Sequence, residues 1–200
     1  MLLNAQDCQL VLVDFQPRLM KAISDGSKVQ SQAVALARGA RLFKVPVWGT
    51  QQAPAKLGEL VPELAGECRE VLSKQCFSAV AEGLGDMLRE ASKPAGNARS
   101  LPKHLQKRQQ EQRQDRSTIV VAGCEAHICL MQTALELLEE EFDVCVVVDA
   151  CGSRTERNRD AAFDRLAGAG VELVTTEMVL FEWLGSAEHP AFKDVQALVK

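Results

Sequence analysis

Several things are missing from this sequence, and each absence excludes something. There is no strong excess of one charge: Lys+Arg number 23 against 27 Asp+Glu, for a formal net charge of -4. The chain as a whole therefore lacks the positive surplus of a protein that coats nucleic acid. No apolar run approaches the roughly 20 residues that a membrane-spanning helix needs; the longest, such as Val144 to Val148, have strand length. The N-terminal apolar run has no basic stretch before it and is interrupted by Asp7. It reads as the approach to a first strand, not as a signal or transit peptide. There is no internal repeat. Cysteine is present, with 7 residues, but the number is odd and no pair has Cys-x-x-Cys spacing. Reduced thiols and a cytoplasmic location are the expectation, and each cysteine has to be judged singly.

What is present fits one globular domain over residues 1–200, with 46% hydrophobic and 25% charged residues. Gln9 to Asp14 reads as a strand buried on both faces, because its apolar residues are continuous. Val29, Ala33, Leu36, Ala40 and Phe43 have helical spacing within Val29 to Lys44. Val45 to Thr50 reads as a second strand with Pro46 at its start, where a missing N–H is tolerable. Val71-Leu72 is a short apolar step leading to Lys74, and Ala79 to Ala91 reads as helix. Strands are expected at Thr118 to Gly123, Val144 to Asp149 and Val171 to Thr175, and helices at Ile128 to Glu141, Arg157 to Ala169 and Pro190 to Leu198. This alternation predicts an α/β fold: a Rossmann-like three-layer sandwich, its sheet mainly parallel, with helices on both faces.

Ser92 to Arg116 departs from the pattern. It is polar, contains Pro94, Gly96 and Pro102, and carries Arg99, Lys103, Lys107, Arg108, Arg113 and Arg116 against Glu111 and Asp115. With little beyond Leu101 and Leu105 to bury, it reads as an inserted, basic surface excursion.

Sites in open parallel sheets form outside the carboxyl ends of the strands. Three reactive side chains fall at such places: Asp14 at the end of the first strand, Lys74 after its apolar step, and Cys129 at the start of a helix. Cysteine is a nucleophile as the thiolate, which a helix N-terminus and a nearby ammonium both favour. Asp14 would accept the thiol proton and later return one to a leaving amine. Backbone N–H groups between Gly123 and Cys129 would face a developing oxyanion. Each residue also has a plainer explanation: Asp14 as a turn former, Lys74 as a solvated surface residue, Cys129 as a small core residue. Cys124, Cys145 and Cys151 keep that plainer explanation. Cys76 stays open, as does His127, a candidate base that a turn could equally use for structural hydrogen bonds.

The residues around these positions resemble the isochorismatase-like cysteine hydrolases. The resemblance is carried by Leu12-Val-Asp14-Phe-Gln16, Lys74-Gln-Cys-Phe77-Ser78-Ala79, and Gly123-Cys-Glu125-Ala-His-Ile-Cys129-Leu130 with Gln132-Thr133-Ala134 after it. Gln51 to Gly58, Val148-Asp149-Ala150 and Ser153-Arg154 extend it over most of the chain. It is closest to the small branch with Glu-x-His-x-Cys before the helix. The resemblance implies a six-stranded sheet, a homo-oligomer, a catalytic set of Asp14, Lys74 and Cys129, and a non-proline cis peptide at Cys124–Glu125. It also implies oxyanion donors at the N–H groups of Glu125 and Cys129. Phe15, Gln51 and Phe77, within the matched motifs, are the candidate substrate-binding residues.

There are departures from the family. The nicotinamidase branch carries an Asp-x-His metal motif after the second strand, whereas this chain has Thr50-Gln51-Gln52-Ala53 and scattered histidines at 104, 127 and 189. No metal and no cofactor are expected, and nicotinamidase activity is not. The branch that hydrolyses isochorismate lacks the cysteine, so Cys129 favours attack on an amide, imide or related carbonyl of a small molecule. The excursion at 92–116 is longer than the family's usual connection. Two other functions compete with hydrolysis. One is binding of RNA or another acidic partner through 99–116, which would be steeply salt-dependent but lacks aromatic residues for base stacking. The other is oxidant scavenging by a thiolate at Cys129. The complete Asp14, Lys74 and Cys129 set favours the hydrolase.

Overall fold

The computed structural model describes residues 2–91 and 116–200. Residues 92–115, most of the basic excursion, lie outside that description. Its last residue, Arg116, is not a free surface charge: its guanidinium donates to the carbonyls of Ala5 and Cys8 at 2.8 and 2.7 Å, pinning the approach to the first strand.

Six strands form one sheet: β1 (Cys8–Val13), β2 (Val47–Gln52), β3 (Glu70–Lys74), β4 (Thr118–Cys124), β5 (Asp143–Gly152) and β6 (Glu172–Val174). Every pairing is parallel, in the order β3-β2-β1-β4-β5-β6. Helices follow in the gaps: α1 (Gly26–Leu42), α2 (Leu84–Ala91), α3 (Met131–Glu139), α4 (Glu156–Gly168), α5 (Thr176–Leu184) and α6 (Phe192–Leu198). A parallel sheet covered on both faces must be apolar on both, and all residues of β1 and β4 are buried. Alternation divides them: Leu10 and Leu12 join one core with α1, α5 and α6, while Val11 and Val13 join a second with α2, α3 and α4. Thr155 and Thr175 cap α4 and α5, their side chains accepting from the N–H groups of Asn158 and Met178.

Two boundaries differ from the sequence expectation in ways that matter to the site. The apolar step before Lys74 is a true strand, since Trp48 to Gln52 pair in register with Glu70 to Lys74. β2 runs on to Gln52, so Gln52 and Lys74 stand side by side at its end. The helix expected from Ile128 instead begins as a π-helical turn, Ala126–Leu130, which holds Cys129 and leads into α3. The Cys124–Glu125 peptide is cis. Among the described residues no helix is long and apolar enough to cross a membrane.

The chain order makes β1 and β4 the place where the sheet's winding reverses. In open parallel sheets, sites form outside the carboxyl ends of the strands at such a switch point. Gly123 lets β4 come close to β1: at φ +153, a Cβ would sit 2.3 Å from the carbonyl oxygen of Val13.

Candidate active site

Asp14 follows β1 with φ +54, a left-handed conformation that Asp tolerates better than most residues. That turn carries its carboxylate over the strand ends, where it has no solvent exposure. Thr50 donates its hydroxyl to Oδ1 at 2.7 Å. Lys74 Nζ lies 2.7 Å from Oδ2, the two side chains forming a fully buried ion pair. Oδ2 makes no aligned hydrogen bond among the described residues. The ion pair is therefore a charge contact, and a lone pair on Oδ2 remains open.

Lys74 also reaches neutral oxygens. Nζ donates to Gln52 Oε1 at 2.6 Å, to the Phe77 carbonyl at 3.0 Å and, more weakly, to that of Cys76 at 3.4 Å. Gln52 is itself fixed. Its Nε2 donates to the Gln75 carbonyl at 2.7 Å, and its backbone N–H and carbonyl are both bonded by the Gln16 side chain, at 2.8 and 3.0 Å. The loop after Lys74 is tied to α3: Thr133 Oγ1 accepts the N–H of Ala79 at 3.0 Å, and Ser78 donates to Glu136 at 2.5 Å.

Cys129 meets this pair from the π-helical turn after β4. Its sulfur is 4.0 Å from Gln52 Oε1 and close enough to Asp14 and Lys74 for hydrogen bonding. The structure thus brings Asp14, Lys74 and Cys129 into one cluster. The electrostatics differ from the sequence expectation, in which the helix start and Lys74 favoured a thiolate. Burial pushes the Cys129 thiol up to about 12, the Asp14 carboxylate adds to the rise, and the Lys74 ammonium only opposes it. The resting group is a thiol.

The other candidates sit elsewhere. Gln51 is turned to the opposite face of β2 from Gln52. Its side chain accepts from the Leu60 N–H at 3.1 Å and donates to Ser73 at 3.0 Å. Phe15 is fully buried in the core of α1, α5 and α6. Phe77 is exposed, beside the carbonyl that holds Lys74. Cys76 is exposed as well, in the Lys74 loop. His127 makes structural contacts, Nδ1 with Ser153 Oγ at 2.9 Å and Nε2 with Asn158 at 3.3 Å. The Glu125 carboxylate accepts from Arg154 Nε at 3.0 Å, which anchors the turn before Cys129. All seven cysteines are free thiols. No group of three or more His, Cys, Asp or Glu side chains among the described residues is placed to hold a metal ion.

Sequence reasoning missed Gln52, Thr50 and Gln16. Strand parity was the available signal: once β2 ends at Gln52, that residue and Thr50 share a face, and Gln51 takes the other.

Comparison with known proteins bears on the family and the fold. A family model for the isochorismatase domain matches residues 97–178. Isochorismatase domain-containing protein 2 of Macaca fascicularis is 37% identical over 191 residues, covering 96% of this chain and 82% of that protein. The chain belongs to the isochorismatase-like superfamily. The MAR1 ribonuclease structure from Caenorhabditis elegans superposes with a TM-score of 0.82 at 28% identity, covering 100% of this chain and 92% of that one. YcaC from Escherichia coli, an octameric hydrolase of unknown specificity, superposes at 0.70 with 25% identity, over 98% and 94% of the two chains. The all-parallel six-stranded sheet is that of the superfamily, whose fold is a hydrolase fold.

Proposed function

We propose that this isochorismatase-like protein is a cysteine hydrolase that cleaves a C–N bond of a small amide, imide or related compound through a thioester on Cys129. The observation that carries this reading is the fully buried Lys74–Asp14 ion pair beside the Cys129 thiol. Buried ion pairs stabilise proteins poorly compared with apolar residues of equal volume. One retained at the switch point of the sheet, against a thiol, is better explained by chemistry.

In this reading the ammonium of Lys74 supports one anion at a time. As the sulfur attacks the carbonyl carbon, the thiol proton passes to the open lone pair of Asp14 Oδ2, and the negative charge moves from carboxylate to substrate. The substrate carbonyl becomes an oxyanion facing the N–H groups of Glu125 and Cys129. Collapse breaks the C–N bond, and the leaving nitrogen takes the proton from Asp14. Water then attacks the thioester, gives a proton to Asp14, and the departing sulfur recovers it. A concerted transfer of this kind needs no standing thiolate, so it is compatible with a thiol pushed up to about 12. Phe77, exposed beside the carbonyl that holds Lys74, is the candidate substrate contact that this geometry retains.

The test is a screen of small amides, imides and ureides against wild type, Cys129→Ser and Asp14→Asn. Hydrolysis by wild type, with a covalent acyl adduct on Cys129 by mass spectrometry and loss in both variants, is expected. Hydrolysis that survives Cys129→Ser overturns the reading.

A second reading, action on RNA, is favoured by the relative named a ribonuclease and by the basic residues at 99–116. Binding or cleavage of RNA that persists at physiological salt and disappears when 92–115 is replaced by a short Gly/Ser turn would support it. We also propose a homo-oligomer, supported by the octameric relative and by Met178 and Phe181 exposed on α5. Sedimentation showing only 21.8 kDa species at micromolar concentration would refute that.

A further inference from the structure

Gln52 lies between the ammonium and the thiol, and its orientation is not arbitrary. Nε2 faces the Gln75 carbonyl at 2.7 Å and Oε1 faces Lys74 Nζ at 2.6 Å. Turning the amide over would set a donor against the ammonium and an oxygen against a carbonyl, so the structure admits one orientation. The Gln16 side chain clamps the backbone of Gln52 from both sides, which leaves Oε1 little freedom to retreat.

An ammonium has three hydrogens. Here Nζ faces Gln52 Oε1 at 2.6 Å, Asp14 Oδ2 at 2.7 Å and the Phe77 carbonyl at 3.0 Å, with the Cys76 carbonyl farther away at 3.4 Å. Three close oxygens match the three hydrogens, so a sulfur anion would have to displace one of them. Two of the acceptors are backbone carbonyls in the Lys74–Ala79 loop, which α3 holds in place. Gln52 makes the shortest of the three bonds, and its Oε1 is 4.0 Å from Cys129 Sγ. Gln52 Oε1 thus accepts from the ammonium and, at a long 4.0 Å, from the thiol.

We propose that Gln52 is a positioning residue that competes with the Cys129 sulfur for an ammonium hydrogen of Lys74, and so keeps the nucleophile protonated until substrate engages the site. The proposal rests on the cysteine-hydrolase reading and adds a restraint on the resting enzyme. It separates two roles for Gln52. A mere anchor for Lys74 would aid the thiolate, and its removal would make Cys129 less reactive. A competitor restrains the thiolate, and its removal makes Cys129 more reactive.

The experiment measures second-order rates of iodoacetamide labelling at Cys129 between pH 7 and 10 by peptide mapping, with exposed Cys76 as internal standard. Gln52→Leu removes the competing oxygen and frees one ammonium hydrogen. Its labelling should rise about threefold at each pH for each unit fall in thiol pKa, since the tenfold gain in thiolate is offset in part by lower nucleophilicity. Gln52→Glu keeps the shape and places a negative oxygen near the sulfur, so its labelling should fall below wild type. Lys74→Met in the Gln52→Leu background should remove the gain. Unchanged or slower labelling of a folded Gln52→Leu protein, judged by an unaltered thermal midpoint, overturns the proposal. Should that variant not fold, wild-type rates in Gln52→Glu overturn it instead. The labelling needs no substrate, so an empty hydrolysis screen would sink the hydrolase reading and leave this result standing on its own.

Discussion

Lys74 Nζ lies 2.7 Å from Asp14 Oδ2 with neither side chain exposed, although the two residues come from strands that are not neighbours in the sheet. β2 lies between them and supplies Thr50 to the carboxylate and Gln52 to the ammonium. Breaking such a buried pair strands a charge. Lys74→Met should destabilise the fold by about 3–5 kcal/mol. Adding Asp14→Asn, which keeps a residue suited to the left-handed turn, should recover most of the loss. Urea unfolding of the two single variants and the double variant measures the coupling, and additive losses would show that the pair is not one unit.

Thiol labelling of the wild-type protein should favour Cys76 over Cys129 at pH 7. Cys76 is exposed, while burial holds Cys129 as a thiol up to about 12. Cys129 labelling should keep climbing with pH through 10, because the thiolate fraction still grows there. A plateau between pH 7 and 8 would mean a thiolate already formed. Lys74→Met should slow Cys129 further, since the ammonium is the group that lowers its pKa.

Alkaline solution should weaken the fold before acid does so through these groups. Burial raises Cys8 from 9.0 to about 11 and Cys68, Cys145 and Cys151 to about 12, alongside Cys129. Above pH 9 the unfolded chain gives up thiol protons that the folded chain keeps, so the unfolded state binds fewer protons and stability falls as pH rises. The stabilisation is complete below about pH 8 and lost through about pH 12. Urea midpoints from pH 7 to 11 under reducing conditions should decline across that range, and a flat profile would contradict the burial of these thiols.

Gly123→Ala should cost roughly 2–5 kcal/mol, combining an unfavourable backbone with overpacking. The added methyl would meet the Val13 carbonyl oxygen at 2.3 Å and Val13 Cβ at 2.6 Å. Relief requires β1 and β4 to separate, which also parts Asp14 from Cys129. Thermal unfolding reads the first effect, and Cys129 labelling kinetics the second.

Much of this was legible in the sequence. Continuous apolar runs such as Leu10 to Val13 mark strands buried on both faces, and their alternation with helical segments predicts the parallel sheet. Asp14 and Cys129 were visible because strand and helix ends are read from hydrophobic periodicity. Gln52 was not, because a strand ending in Gln51-Gln52 shows no apolar alternation to say which amide faces the site. The thiol's elevated pKa was illegible for a different reason. Charge proximity can be guessed from motifs, but desolvation depends on how closely α3 and the Lys74 loop pack over the sulfur. Phe15 illustrates a third limit: one residue past the catalytic Asp14 candidate, the left-handed turn sends it into the opposite core.

The candidate lysine stands on an outermost strand. β3 pairs only with β2 among the described residues, and four of its five residues have partial or full solvent contact before Lys74 ends it buried. Strands held from one side separate at lower free energy than central ones, so local opening of β3 should precede cooperative melting. Amides of β3 should exchange with deuterium ahead of those in β1 and β4, and warming should silence the chemistry while most of the sheet is still intact. Heat resistance of the fold and of the activity would then be separate properties, the second set by how firmly Gln51, Ser73 and the α3 contacts fasten one short strand.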